Sequence, residues 1–270
     1  MNETEYFKII EEYKLLAKHE VGQNFLIDPD ASKAIVSLLE AQKGDKVLEI
    51  GPGAGSLSFF LSSSLASCDL VDIDEGLVTK LKGDFASNEN IRPFVGNALK
   101  WDLSPYTKLI GNLPYYITSS LIERILMDTP NLQKAVLMIQ KEAFSRITAK
   151  KGTTDYGPLS ISLSYRMAIK REFTVGRTSF SPMPHVDSAV FSLSVKEGVS
   201  ASLTKSLYKV ASAMFLHRRK TILNNLSAYL GDAIEAKDIL ASLGIDPKRR
   251  PEELSIEEYV LLTGKLLSKK

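Results

Sequence analysis

The chain has 270 residues, 44% hydrophobic and 24% charged, and a formal net charge of +2. This is enough apolar material for one large domain, or for a medium domain with a small appendage, and it excludes a disordered tail. No apolar run reaches the roughly 18 residues of a membrane span, no secretory signal pattern opens the chain, a single cysteine (Cys68) excludes an internal disulfide, and three scattered histidines (His19, His185, His217) argue against a metal site, so a cytoplasmic protein without metal is expected.

In chain order, Tyr6, Phe7, Ile10 and Tyr13 predict an amphipathic opening helix. Asp28-Pro29 reads as an N-cap followed by proline at the first helical position, with Ala34, Ile35, Leu38 and Leu39 following at helical spacing. Residues 47–50 form a short buried strand closed by Gly51-Pro52-Gly53-Ala54-Gly55, and Ser56 is the expected cap of a helix that buries Leu57, Phe60, Leu61 and Leu65. A strand at 70–73, a short helix at 75–81, a weaker strand at 91–95 interrupted by Pro93, and a strand at 108–112 come next. A helix over 118–127 leads to a strong strand at 135–139. Such alternation predicts an α/β fold whose parallel sheet is covered on both faces. The β-rich runs 173–175 and 188–195, on either side of Ser181-Pro182-Met183-Pro184, predict an antiparallel hairpin that finishes the sheet. After Glu197-Gly198 the β signal stops, and three or four helical patterns run to Leu267, which places a domain boundary near residue 200.

A strand running through Glu49-Ile50 into the glycine turn and then into a helix is a nucleotide-cofactor turn. Glycine lets the backbone approach a ligand closely, and the helix start presents free amides. Asp72 ends the next strand, 21 residues after Gly51, where a carboxylate can accept from ribose hydroxyls. The spacing G-x-G-x-G is one residue shorter than the dinucleotide fingerprint, which favours S-adenosylmethionine, a ligand without a pyrophosphate, over NAD. Asn97 follows the third strand and is a candidate contact to the adenine edge; a turn residue is the simpler reading of a lone Asn there.

Gly111-Asn112-Leu113-Pro114-Tyr115-Tyr116 ends the fourth strand on the same sheet edge, where open α/β sheets bind ligands. An adenine N6 amine is a poor nucleophile because its lone pair is delocalised. If the Asn112 side-chain oxygen and the Leu113 carbonyl accept its two N–H bonds, the nitrogen is drawn towards a pyramidal geometry. Its lone pair can then face a sulfonium methyl in line, and the proton later leaves to water, so orientation and fixed dipoles carry the catalysis. Pro114 would fix the backbone. Such a pocket works on a base removed from its stack, with Tyr115 stacking one face and Phe180 covering the other. Taken alone, Phe180 reads as ordinary core.

With these motifs in place, the chain resembles the bacterial small-subunit rRNA adenine dimethyltransferases over nearly its whole length. The resemblance rests on Gly22-Gln23-Asn24-Phe25-Leu26, the E-I-G-P-G-A-G turn, N-L-P-Y, F-x-P-x-P-x-V-x-S from Phe180 to Ser188, Arg218-Arg219-Lys220-Thr221, and Arg249-Arg250-Pro251-Glu252-Glu253-Leu254-Ser255. The resemblance implies a class I (Rossmann-like) S-adenosylmethionine-dependent methyltransferase domain, residues 1–200, and a small all-helical, rRNA-contacting domain, residues 201–270. It implies dimethylation of two adjacent adenosines in the 3′-terminal hairpin of 16S rRNA during assembly of the small subunit. It assigns Asn24 and Leu26 to closure over the cofactor, Gly51 to its methionine end, Asp72 to the ribose, Asn97 to the adenine, and Asn112 to both cofactor and target amine; Gly53 of the same turn is a further cofactor-binding candidate. Two positions depart from the family pattern, which carries Glu at the ribose position and Asp at the adenine position.

The charge is unevenly distributed. Residues 1–140 hold 13 Lys and Arg against 19 Asp and Glu, a net of −6, whereas residues 141–270 hold 21 against 13, a net of +8. A basic half is what a polyanion partner needs, although solvated charges also segregate by chance. Lys141 and Arg146 (with Lys150 and Lys151), and Arg218, Arg219 and Lys220, are the candidate phosphate contacts; Lys248-Arg249-Arg250 forms a further basic loop. A large-subunit rRNA methylase of the macrolide-resistance type, a non-catalytic ribosome assembly factor, and an NAD-dependent oxidoreductase are the alternatives. A monomer is expected.

Overall fold

The computed structural model describes residues 24–268, with the exception of the Tyr115 side chain. The expected opening helix, His19 and Gly22-Gln23 lie outside the described residues.

Tertiary contacts divide the chain into two compact units. The first comprises residues 24–144 and Ala168–Val195. Its elements are β1 (Phe25–Leu26), α1 (Pro29–Leu39), β2 (Lys46–Ile50), α2 (Ser58–Leu61), β3 (Ser67–Asp72), α3 (Glu75–Asp84), β4 (Ile91–Val95), β5 (Lys108–Asn112), α4 (Thr118–Asp128) and β6 (Lys134–Gln140). Next comes α5 (Lys141–Ile147), whose last residues cross the division, and the unit resumes with β7 (Met167–Val175), β8 (Phe180–Ser181) and β9 (Ser188–Val195). Seven strands form one sheet in the order β4-β3-β2-β5-β6-β9-β7. The first five are parallel and β9 runs antiparallel to β6. From β2 the chain winds one way to β3 and β4, then returns to β5 and β6 on the other side. The order therefore reverses between β2 and β5, which opens a crevice at their carboxyl ends.

The local chemistry explains these elements. Asp28 caps α1 through Oδ1, which accepts from the Asp30 and Ala31 amides at 3.1 Å, and Asp74 caps α3 in the same way. Strands β2, β5 and β6 are buried along nearly their whole length, as parallel strands covered on both faces must be. Pro93 is accommodated because β4 is an edge strand, where a missing N–H costs no ladder bond. Three details depart from expectation. Ser56 does not cap a helix: α2 is a single turn starting at Ser58, and Leu65 is exposed beyond it. Ala34 faces solvent, with Ser32 buried in its stead and bonded to the Asp28 carbonyl. Strand β7 begins six residues before the predicted run.

The second unit comprises Ser145–Met167 and residues 196–268. It contains α6 (Pro158–Arg166), α7 (Ala201–Met214), α8 (Ile222–Leu230), α9 (Ala233–Ser242) and α10 (Ile256–Leu267). The single boundary expected near residue 200 therefore becomes two crossings. Residues 145–167, counted with the sheet domain in the sequence, belong to the helical unit because Tyr156 and Ile161 are buried in its core with Leu207, Leu226, Leu240 and Tyr259. Tyr156 donates to the Leu254 carbonyl at 3.1 Å, which ties this excursion to the loop before α10.

Candidate active site

The crevice between β2 and β5 deepens into a cavity of about 480 Å³, within the range of small-molecule sites. Its floor is the glycine turn. Gly51 (φ +66°) and Gly53 (φ +53°) adopt left-handed backbone that L side chains rarely accept, and a Cβ on Gly53 would come within 3.1 Å of the Phe25 ring. The turn is held from β3: the Gly51 amide donates to the Val71 carbonyl at 2.9 Å, and the Gly53 amide donates to Asp72 Oδ2 at 3.2 Å. Asp72 Oδ1 accepts from the Asp74 amide at 3.0 Å. Burial raises the Asp72 carboxyl above its usual range, against the lowering effect of these amides.

The opposite wall is the end of β5. Gly111 lets β2 and β5 approach so closely that a Cβ there would lie 2.5 Å from the Ile50 carbonyl oxygen. Asn112 follows, and its amide nitrogen donates to the Asn24 carbonyl at 3.2 Å. That bond orients the side chain and leaves Oδ1 as its acceptor end. The Leu113 amide donates to the Met138 carbonyl at 3.0 Å, and the Pro114 carbonyl accepts from the Ile117 amide and Thr118 Oγ1, so the N-L-P turn is held on both sides.

Asn24, Leu26, Gly51, Gly53, Asp72, Asn97, Asn112, Leu113 and Pro114 all line this cavity. Asn97 Oδ1 accepts from the Leu99 amide at 2.9 Å, as the turn reading of this residue expects, and a second lone pair remains. Phe180 does not line the cavity. It is 3% exposed, packed in the core and paired in register with Leu26, so its ring offers no face to a base. This corrects the expected stacking role. The F-x-P-x-P segment instead holds β1, and β1 follows Asn24, whose carbonyl orients Asn112. The stacking expected of Tyr115 lies outside the described side chains.

Among the cavity residues to which the sequence reading gives no role, two stand out. Tyr116 lines the rim and is 71% exposed. Glu49 lines the interior, is 1% exposed and accepts from Ser58 Oγ at 2.6 Å. The signal for Glu49 was present: a carboxylate inside the otherwise apolar run Val47-Leu48-Glu49-Ile50 of a strand covered on both faces. Four carboxylates (Glu49, Asp72, Asp74 and Glu75) line the cavity, with no Lys, Arg or His among its described lining residues. An anionic pyrophosphate fits such a wall poorly and a cationic ligand fits it well. The cavity's charge, glycine turn and size thus fit S-adenosylmethionine, and they disfavour the NAD alternative.

The basic candidates divide into two kinds. Arg219, Lys220, Arg146 and Lys141 have exposed side chains. Arg218 instead donates to the Thr153 carbonyl at 2.9 Å, lies 3.8 Å from Glu252 and sits over the Phe215 ring. Arg249 is bound more firmly, to both Glu258 oxygens (2.5 and 2.8 Å) and to the Glu253 carbonyl. Both arginines of these motifs are therefore clamps inside the helical unit. The basic stretch from His217 also precedes α8 rather than beginning it; Thr221 is the cap. Trp101 packs on Phe94 and donates to Tyr106, and Cys68 is buried; His185 is exposed.

The sheet order, the glycine turn with its carboxylate, and the strand-end N-L-P turn define a class I methyltransferase that uses S-adenosylmethionine. A family model for ribosomal RNA adenine dimethylases matches residues 15–266, and the chain belongs to that family. It is 36% identical to ribosomal RNA small subunit methyltransferase A of Pediococcus pentosaceus, across 98% of this chain and 95% of that protein. It is also 36% identical to the protein of the same name in Bacillus cytotoxicus, across 97% and 95%. Among solved structures, a dimethyladenosine transferase from Plasmodium falciparum superposes with a TM-score of 0.78 at 26% identity, covering 90% of this chain and 97% of that one. The 23S rRNA methyltransferase ErmE shares the fold, with a TM-score of 0.66 at 24% identity over 90% and 99% of the two chains.

Proposed function

We propose that this chain transfers methyl groups from S-adenosylmethionine to the N6 amines of two adjacent adenosines in the 3′-terminal hairpin of 16S rRNA, acting as a cytoplasmic monomer on the small subunit or its precursor. The observation that carries this reading is the Asn112 amide, pinned through its nitrogen at the edge of an acid-lined cavity. The names of the Pediococcus and Bacillus relatives support the small-subunit substrate over the large-subunit alternative.

When bound, S-adenosylmethionine supplies a methyl group on a positively charged sulfur. The chain's own residues supply the geometry. Asp72 accepts from the ribose, Asn97 meets the adenine edge, the backbone of the glycine turn lies against the methionine end, and Asn24 and Leu26 cover it. Asn112 Oδ1 and the Leu113 carbonyl take the two N–H bonds of the extruded adenine, and Pro114 holds them at a fixed separation. Aligning the lone pair in this way replaces a general base. No His or Cys lines the described cavity, in keeping with release of the proton to water. Arg219, Lys220, Arg146 and Lys141 contact phosphates.

The test is transfer of labelled methyl groups to small-subunit particles, with the modified nucleotides mapped. Dimethylation of two adjacent adenosines is the expected result. Particle binding without incorporation would leave the assembly-factor reading, and label confined to large-subunit rRNA would move the substrate to the other branch.

A further inference from the structure

The roles above leave Glu49 unused. It stands on β2 beside Leu70 of β3 and Ile110 of β5, neither of which can neutralise a charge. Its hydrogen-bond donor is the neutral hydroxyl of Ser58, from α2. The titratable groups that face it, both from β3, are Asp72, whose charge opposes ionisation, and the Cys68 thiol, itself pushed up to about 12. Burial, with Asp72 adding to it, pushes the Glu49 carboxyl up to about 8. The carboxyl is therefore protonated at neutral pH in the cofactor-free chain.

Two ligands alternate in this cavity during turnover. The methyl donor carries a positively charged sulfur; the product left after transfer carries a neutral thioether. Both have the same adenine, ribose and amino-acid parts, so contacts through Asn97, Asp72 and the glycine turn cannot tell them apart.

We propose that Glu49 is the residue that distinguishes donor from spent product, ionising when a sulfonium is seated and regaining its proton when the sulfur becomes neutral. The inference rests on the S-adenosylmethionine reading. On donor binding the Glu49 O–H bond breaks and the proton passes to solvent. On transfer the C–S electron pair returns to sulfur, the amine nitrogen releases its own proton to water, and Glu49 takes one proton back from solvent. The carboxyl ends the cycle as it began, and the product is held less tightly than the donor.

Calorimetry of the full chain with S-adenosylmethionine and with S-adenosylhomocysteine, in buffers of different ionisation enthalpy between pH 5.5 and 7.5, tests this. Donor binding should release a larger fraction of a proton than product binding does, and the excess should be greatest below the free carboxyl's value of about 8. The donor-to-product affinity ratio should rise by up to tenfold per pH unit; titration of Asp72 or of the shared amino group cancels in that ratio. Glu49→Gln retains an acceptor for Ser58 and should make the ratio independent of pH, with product affinity within about twofold of the wild type. If the variant does not fold, the wild-type titrations decide alone. Failure of the wild type to bind the donor at all would overturn the cofactor reading itself. Tight donor binding with equal proton release for both ligands and a constant ratio would overturn the role of Glu49 and leave that reading standing.

Discussion

The two units use their polar side chains in opposite ways. In the sheet unit, Asp72 and Asn112 stand at strand ends, each partly bonded to backbone and each retaining acceptor capacity towards a cavity. In the helical unit, the most conspicuous charged motifs are turned inward: Arg249 is closed on Glu258 and Glu253, and Arg218 on Thr153 and Glu252. A polar group that serves a ligand leaves part of its bonding capacity open, whereas one that serves stability closes it. The difference separates site from scaffold without reference to motif.

The sharpest way to break this contrast is at Asn112. Asn112→Ala removes the side-chain acceptor without touching the Leu113 carbonyl, and should lower kcat for methyl transfer by about 10²–10³-fold. Particle binding should be largely kept. Full single-turnover transfer by this variant would show that the strand-end amide does not hold the target amine.

Gly111→Ala attacks the same wall from behind. The added carbon would meet the Ile50 carbonyl, a backbone atom that cannot swing aside. The two strands whose ends form the crevice must part, at a cost of about 1–3 kcal/mol. A lower melting temperature accompanied by weaker cofactor binding is expected; an unchanged melt would mean that the sheet relaxes freely at its switch point.

Much of this contrast was legible before the structure. Period and punctuation identified β2 to β6 and their order of appearance, and the glycine turn, Asp72 and Asn112 fell on one edge because parallel strands put all their carboxyl ends together. The miss at Phe180 has a physical cause: an aromatic has the same one-letter form in a site and in a core, and only the pairing of β1 with β8 decides between them. The internal partners of Arg218 and Arg249 were illegible for a related reason. Their partners Thr153, Glu252 and Glu258 come from turns and helices whose docking is a tertiary fact. Residues 145–167 were placed in the wrong unit because a chain that leaves a domain and returns gives no compositional sign.

The buried carboxyl of Glu49 gives the sheet unit a pH signature. In the folded chain it keeps its proton up to about 8, whereas its unfolded value is about 4.5. Between those values the folded state binds more protons, so this group's contribution makes stability fall as pH rises, by at most about 1.4 kcal/mol per unit. Chemical denaturation of the cofactor-free chain at pH 5, 6.5 and 8 should show that fall, and Glu49→Gln should flatten it. An identical slope in the variant would place the titrating group elsewhere.

The smallest effects separate the two kinds of arginine in the helical unit. Arg249→Ala strips a partner from the half-buried Glu258 carboxylate and should destabilise the chain by about 1–3 kcal/mol. Arg219→Ala removes an exposed side chain and should leave the melt within about 0.5 kcal/mol. Its effect should appear instead in the logarithmic salt dependence of particle binding, whose slope should shrink by about one. Arg218→Ala should resemble Arg249→Ala, because its guanidinium already has a carbonyl, a carboxylate and a ring as partners. If Arg218→Ala instead shrinks the salt slope at constant stability, that arginine leaves its internal partners when RNA arrives, and its closed bonding in the free protein is a resting state rather than a structural commitment.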